Sequence, residues 1–216
     1  MDAWRPRRTG AGHRLRPLRF VIDFVFDFTS VDCWLAFRPT CRLADELRVP
    51  VNWLPMRVPA KAAAEAKENE SVGERHARVR AEYMASENAR YAERLGVPLK
   101  RSGAGVDSWL AAAACIWASE HDAGREFVER VFEGFWEARL DIEDAAAITG
   151  ILDELGAPGF DLDAGAHRLE ELGEELAERG AFGIPTYLVE GQMFMGRQHL
   201  PMIRWLLTGQ EGPGPL

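Results

Sequence analysis

Ser30-Val31-Asp32-Cys33 brings a hydroxyl, a carboxylate and a thiol within four residues. An apolar run, Phe20 to Phe28, comes just before it, and Thr29-Ser30 offers hydroxyls where a helix should start. At such a strand-to-helix junction, unpaired N–H groups and the helix dipole favour an anion. Ser30 therefore has two readings: an N-cap serine without chemistry, or a hydroxyl that serves an anion at that place. Cys33 also has two: a thiol packed in the first helical turn, or a single-cysteine redox or adduct-forming site. Asp32 weighs against the second, because a neighbouring carboxylate raises a thiol's pKa, while the same charge suits a helix N-terminus.

The other cysteines, Cys41 and Cys115, add no obvious partner. Cys33 and Cys41 fall on one predicted helix, eight residues and so about 12 Å apart along its axis. That is beyond the roughly 7 Å that a disulfide spans. Cys115, inside Ala111-Ala112-Ala113-Ala114-Cys115-Ile116-Trp117, reads as a small buried hydrophobe. Three cysteines are an odd, sparse count that fits a reducing cytoplasm better than a disulfide framework. No cysteine–histidine spacing matches a metal site, so no metal is expected. Trp53, Trp109, Trp117 and Trp136 read either as core or as an aromatic cleft. Trp53 and Arg57 are the pair best placed to face a substrate cleft, with Arg57 available to a carboxylate.

The elements that must position these residues follow from periodicity. Phe20 to Phe28 reads as a buried central strand. Cys33 to Leu47 has helical apolar spacing with Pro39 inside, where a kink is expected. Val49 to Leu54 is a second strand, which makes a β-α-β unit with a parallel crossover. Helical pattern then runs from Lys61 to about Leu176: an Ala/Lys/Glu-rich stretch over 61–68, then helices over 74–95, 107–121, 124–140, 144–155 and 163–179. Gly183 to Val189 and Gln192 to Met195 are strands joined by the two-residue turn Glu190-Gly191, and His199 to Leu207 closes the chain. The order is β-α-β, a block of helices, then β-β-α. This predicts an α/β fold with an all-helical domain inserted between two halves of one small sheet.

The chain has 216 residues and a net charge of −8, which argues against nucleic-acid binding, and it has no apolar run long enough for a membrane span. The charge is uneven. Residues 1–19 hold six arginines against Asp2, a net of +5, with no apolar segment of the secretory kind. Residues 1–17 therefore read as a disordered basic tail. The expected organisation is a first half-domain over 18–58, the helical insertion over 59–176, a second half over 177–209, and a short tail over 210–216.

That order, with its local sequences, resembles the DsbA-like branch of the thioredoxin superfamily. It is most similar to the 2-hydroxychromene-2-carboxylate isomerases and kappa-class glutathione transferases. Phe26-Asp27-Phe28-Thr29-Ser30-Val31-Asp32-Cys33-Trp34-Leu35-Ala36-Phe37 looks like that family's first strand, active-site turn and helix start. Tyr83-Met84 with Tyr91 through Pro98 looks like its insertion signature, and Arg179 through Gly196 looks like its Gly-Val-Pro-Thr hairpin. The resemblance implies a thioredoxin-like fold and a cis peptide before Pro185. It also implies that Ser30 holds the sulfur of glutathione as the anion, while the backbone of Ile184 pairs with the extended cofactor. Asn69 falls near a polar cofactor contact of the family.

Two departures bear on the cofactor. The family's Pro-Tyr after the serine is here Val31-Asp32, which places a negative charge beside an anionic sulfur. The acidic residue that receives the cofactor's amino group is here Gln198, which loses the charge-assisted part of that bond. Another low-molecular-weight thiol is therefore an alternative to glutathione. The expected activity is isomerisation or transfer on an aromatic substrate with a thiol cofactor, and the relatives commonly form homodimers. The alternatives are a monothiol disulfide oxidoreductase using Cys33 and a non-catalytic member of the fold.

Overall fold

The computed structural model describes residues 20–57, 71–210 and 214–215. Strand β1 (Ile22–Phe26) is buried on both faces except at Asp23, as an apolar run broken only by that residue requires. It leads into helix α1 (Val31–Leu47) and then strand β2 (Val51–Pro55). Five helices follow: α2 (Val72–Leu95), α3 (Trp109–Glu120), α4 (Gly124–Trp136), α5 (Ala145–Glu154) and α6 (Leu162–Glu178). The chain then returns as strands β3 (Thr186–Val189) and β4 (Gln192–Met195), a 3-10 turn over Arg197–His199, and helix α7 (Leu200–Leu207).

The four strands form one sheet in the order β2-β1-β3-β4. β1 is parallel to β2 and antiparallel to β3, and β3 is antiparallel to β4. A parallel β1–β2 pair needs a crossover, and α1 supplies it. Pro39 lies within α1, which runs as one helix on both sides of it. The stretch 61–68 and the basic tail over 1–17 lie outside the described residues.

Local signals set the helix ends. Ser71 and Glu74 form a reciprocal capping box on α2, and Gly96, with φ at 65°, ends that helix in the left-handed region that glycine favours. Asp144 and Asp161 cap α5 and α6 through their carboxylates.

Aromatic side chains bind the helical block to the sheet. Phe132 on α4 meets Phe26, Phe28, Trp34 and Phe37, with ring centroids 5.0 to 5.7 Å apart. The indole N–H of Trp136 donates to the carbonyl of Phe28 at 3.1 Å, and that of Trp34 to the carbonyl of Pro98 at 3.0 Å. One apolar core thus runs through both parts and fixes the Phe28–Cys33 turn from both sides.

Trp53 belongs mainly to this core, and its edge reaches a groove beside α6 that is separate from the Ser30 turn. It is 6% exposed and packs edge-on against Phe24 and Phe26 and tilted against Phe37. An inward position on β2 puts the indole under α1, because strand side chains alternate between faces. Trp117 is held from α3 by an N–H bond to the carbonyl of Ala157.

Candidate active site

Ser30 is the N-cap of α1. Its backbone is extended (φ −83°, ψ 118°), and its Oγ accepts from the Cys33 N–H at 3.3 Å. The turn before it is built on Asp27, which is 2% exposed. One oxygen of Asp27 accepts from the Thr29 N–H and hydroxyl, both at 2.7 Å, and the other accepts from the Ser108 hydroxyl at 2.8 Å. A buried carboxylate is tolerable only with such partners. Asp27 thereby joins the turn to the start of α3.

A cleft of about 710 Å³ opens at this turn. Its walls come from Thr29 to Asp32, from Ala85 and Asn88 on α2, from Leu99 to Ala104, and from Trp136 and Ile184. Gly103 fits so tightly that a Cβ on it would lie 1.9 Å from the Thr29 carbonyl oxygen. Only glycine lets that loop approach the turn.

The Ile184–Pro185 peptide is cis, and Ile184 lines the same cleft. The Pro185 carbonyl accepts from the Gly196 N–H at 2.8 Å, while the Ile184 N–H and C=O make no backbone hydrogen bond among the described residues. They are available to an extended ligand.

Cys33 points away from chemistry. Its side chain is fully buried, and burial pushes its thiol far above the ordinary value, against a smaller lowering from the Ser30 hydroxyl. Cys41 is likewise pushed up to about 11 and Cys115 to about 12 by burial. All three are free thiols. A reactive cysteine needs an accessible thiolate, and the burial of Cys33 favours the packed reading.

Asp32 does not stand as a lone charge beside the site. Arg197 donates to it from Nη1 at 2.9 Å and lies over the Tyr91 ring at 4.1 Å. Nothing in the sequence brought Arg197 to Asp32, because the pair is 165 residues apart in the chain. Gln198 turns aside: its Nε2 donates to the Met195 carbonyl at 3.0 Å, and it lines a neighbouring groove with Tyr91 and Leu200. Arg57 is also elsewhere. It pairs with Asp107 at 2.7 Å and lines a separate groove beside α6. Asn69 lies outside the described residues. No group of three or more histidine, cysteine or acidic side chains could hold a metal among the described residues.

Two cleft residues were missed from sequence. Asn88 is 4% exposed, and its Oδ1 has no hydrogen-bond partner among the described residues. Leaving such an acceptor unpaired costs about 1–3 kcal/mol. A polar residue on the otherwise charged, exposed α2 gave no signal of its burial. Arg101 lines the cleft too, held by a bond from Nη1 to the Leu140 carbonyl at 2.9 Å and by its place 4.9 Å over the Phe135 ring.

The pattern of the DSBA-like thioredoxin domain matches residues 21–208. The chain belongs to the DsbA-like thioredoxin family. It is 26% identical over 190 residues to a 2-hydroxychromene-2-carboxylate isomerase of Sphingobium xenophagum, covering 84% of this chain and 95% of that protein. The solved structure of a 2-hydroxychromene-2-carboxylate isomerase superposes with a TM-score of 0.64 at 20% identity, covering 88% of this chain and 95% of the other. The cytosolic disulfide reductase DsbM of Pseudomonas aeruginosa, solved with GSH, gives 0.61 at 19% identity, covering 88% and 98%. These structures share the fold, and the cis Ile184–Pro185 peptide agrees with what the resemblance implied.

Proposed function

We propose that this DsbA-like protein catalyses a thiol-dependent isomerisation or transfer on an aromatic substrate, with Ser30 holding the thiol sulfur as its anion. One observation carries the reading. Ser30 lines the cleft at the N-terminus of α1, where its oxygen accepts from the Cys33 N–H and its hydrogen can be given either to the buried Cys33 sulfur beside it or to a sulfur bound in the cleft. A bound thiol supplies a reversible nucleophile whose addition to an enone makes a double bond single, so that it can rotate.

The chain's own residues do the rest. The N-terminus of α1 and the Ser30 hydroxyl stabilise negative charge at one point. The N–H and C=O of Ile184, which make no backbone hydrogen bond among the described residues, suit a peptide-like thiol such as glutathione, held as an extra strand. Arg197 offsets the charge of Asp32. Trp136, Leu99 and Val31 give the cleft its apolar lining for an aromatic ring. Gln198 lines the adjacent groove and is a neutral amide where a charged partner would grip an amino group better, which favours testing thiols besides glutathione. The three buried free thiols suit a reducing cytoplasm, and a homodimer is part of the reading, testable by light scattering.

The test is turnover of 2-hydroxychromene-2-carboxylate, the compound in the names of the relatives, with a panel of low-molecular-weight thiols. Turnover that requires a thiol and collapses in Ser30→Ala is expected. Turnover unchanged by thiol or by Ser30→Ala overturns the proposal.

A further inference from the structure

We infer that Arg101 and Asn88 form a carboxylate-binding subsite within the Ser30 cleft, with Asn88 accepting from a hydroxyl or amide N–H beside that carboxylate. The inference deepens the reading above and rests on it for the idea that this cleft receives the reacting molecule.

Three charged side chains line the cleft: Asp27, Asp32 and Arg101. Both acids are engaged, Asp27 by three local donors and Asp32 by Arg197. Arg101 has no acidic partner among the described residues. Its one polar contact is from Nη1 to the Leu140 carbonyl, which leaves the remaining donors of the guanidinium unused. Stacking on Phe135 and the Leu140 bond hold the group half-buried, with its rotamer entropy already spent. Such a guanidinium is matched to a carboxylate, which it grips through two parallel bonds.

Asn88 supplies the second, independent observation. It is buried and in the wall of the same cleft, and its Oδ1 lacks a donor among the described residues. Native structures rarely leave such an acceptor unpaired without a role for it. Rotation of the amide about its last side-chain bond presents the oxygen to the cleft. A hydroxyl or amide N–H next to a carboxylate meets both residues at once. That chemistry is found in an aromatic hydroxy acid and at the end of a thiol-bearing peptide.

Calorimetric binding separates the sources without any turnover. One arm titrates 2-hydroxybenzoate and its methyl ester, and the other S-methylglutathione and its ester. Wild type is expected to bind at least one acid roughly tenfold tighter than its ester, about 1.4 kcal/mol. Arg101→Gln should erase that preference and Arg101→Lys should retain part of it. Asn88→Asp, which keeps the shape and adds a repelling charge, should weaken the acid and spare the ester. The arm that responds identifies the source. Equal binding of acid and ester by the wild type in both arms overturns the subsite, whatever the variants do. Discrimination that persists in a protein with no thiol-dependent turnover would instead sink the isomerase reading and leave the subsite standing.

Discussion

Arg197 donates to Asp32 at 2.9 Å while its guanidinium lies 4.1 Å over the Tyr91 ring. Asp32 sits in the first turn of α1, Arg197 follows β4, and Tyr91 is on α2. One side chain therefore joins the active-site helix, the closing hairpin and the helical block. The carboxylate that looked wrong for an anionic sulfur is partly neutralised by an arginine supplied from the far end of the chain.

Removing that arginine should restore the problem. Arg197→Ala is expected to weaken thiol binding several-fold, and Asp32→Asn in the same chain should recover much of it. The pair is partly buried, so a double-mutant cycle on stability should read a coupling of about 1 kcal/mol. A coupling of zero in both binding and stability would remove Arg197 from the site.

Ser30→Ala separates capping from chemistry. Loss of the N-cap bond to the Cys33 N–H should cost about 1 kcal/mol in chemical denaturation. Loss of the donated hydrogen bond should lower thiol-dependent turnover about 100-fold, as for removal of one anion-stabilising donor. Ser30→Asn keeps a capping oxygen and should recover the stability without the rate. A rate loss no larger than the stability loss accounts for would mean that Ser30 is a cap alone.

The thiols should be silent in the native state and should set its alkaline limit. Burial raises the folded pKa of Cys41 from 9.0 to about 11 and that of Cys115 to about 12. Above about pH 9.0 the unfolded chain gives up these protons and the folded chain keeps them. The unfolded state then binds fewer protons, so stability falls as pH rises, through the window from 9.0 to about 11 for Cys41. Denaturation midpoints taken across that range should decline, and Cys115→Ala should flatten the slope. Ellman's reagent at pH 8 should titrate the cysteines only after unfolding. A fast-reacting thiol that maps to Cys33 would revive the oxidoreductase reading.

Gly103→Ala probes the cleft wall. The added Cβ would fall 1.9 Å from the Thr29 carbonyl oxygen, a backbone atom that cannot swing away. The 102–106 loop must withdraw from the turn, at a cost of about 1–3 kcal/mol, comparable to overpacking. Thiol binding should weaken in parallel, while Gly105→Ala, which meets nothing within 4 Å but is strained by its φ of 77°, should lower stability and leave binding alone.

What the sequence determined by itself was local and periodic. Apolar runs placed β1, α1 and β2. Glu190-Gly191 placed the β3–β4 hairpin, and glycine and capping residues placed most helix ends within two or three residues. The motifs Ser30 and Ile184-Pro185 were legible because each is contiguous, and their family resemblance carried the fold. Tertiary structure alone decided which side chains face the cleft. Trp53 and Arg57 looked like cleft residues, but strand alternation and the path after β2 took one into the core and the other to a different groove. Asn88, Arg101, Arg197 and Gly103 carried no signal, because each acquires its role from a neighbour between 39 and 165 residues away, or from the wall it completes. Charge, hydrogen bonding and burial are properties of what surrounds a side chain. Spacing along the chain encodes only neighbours within the same helix or strand, so a site assembled from five separate segments becomes visible only when they are packed together.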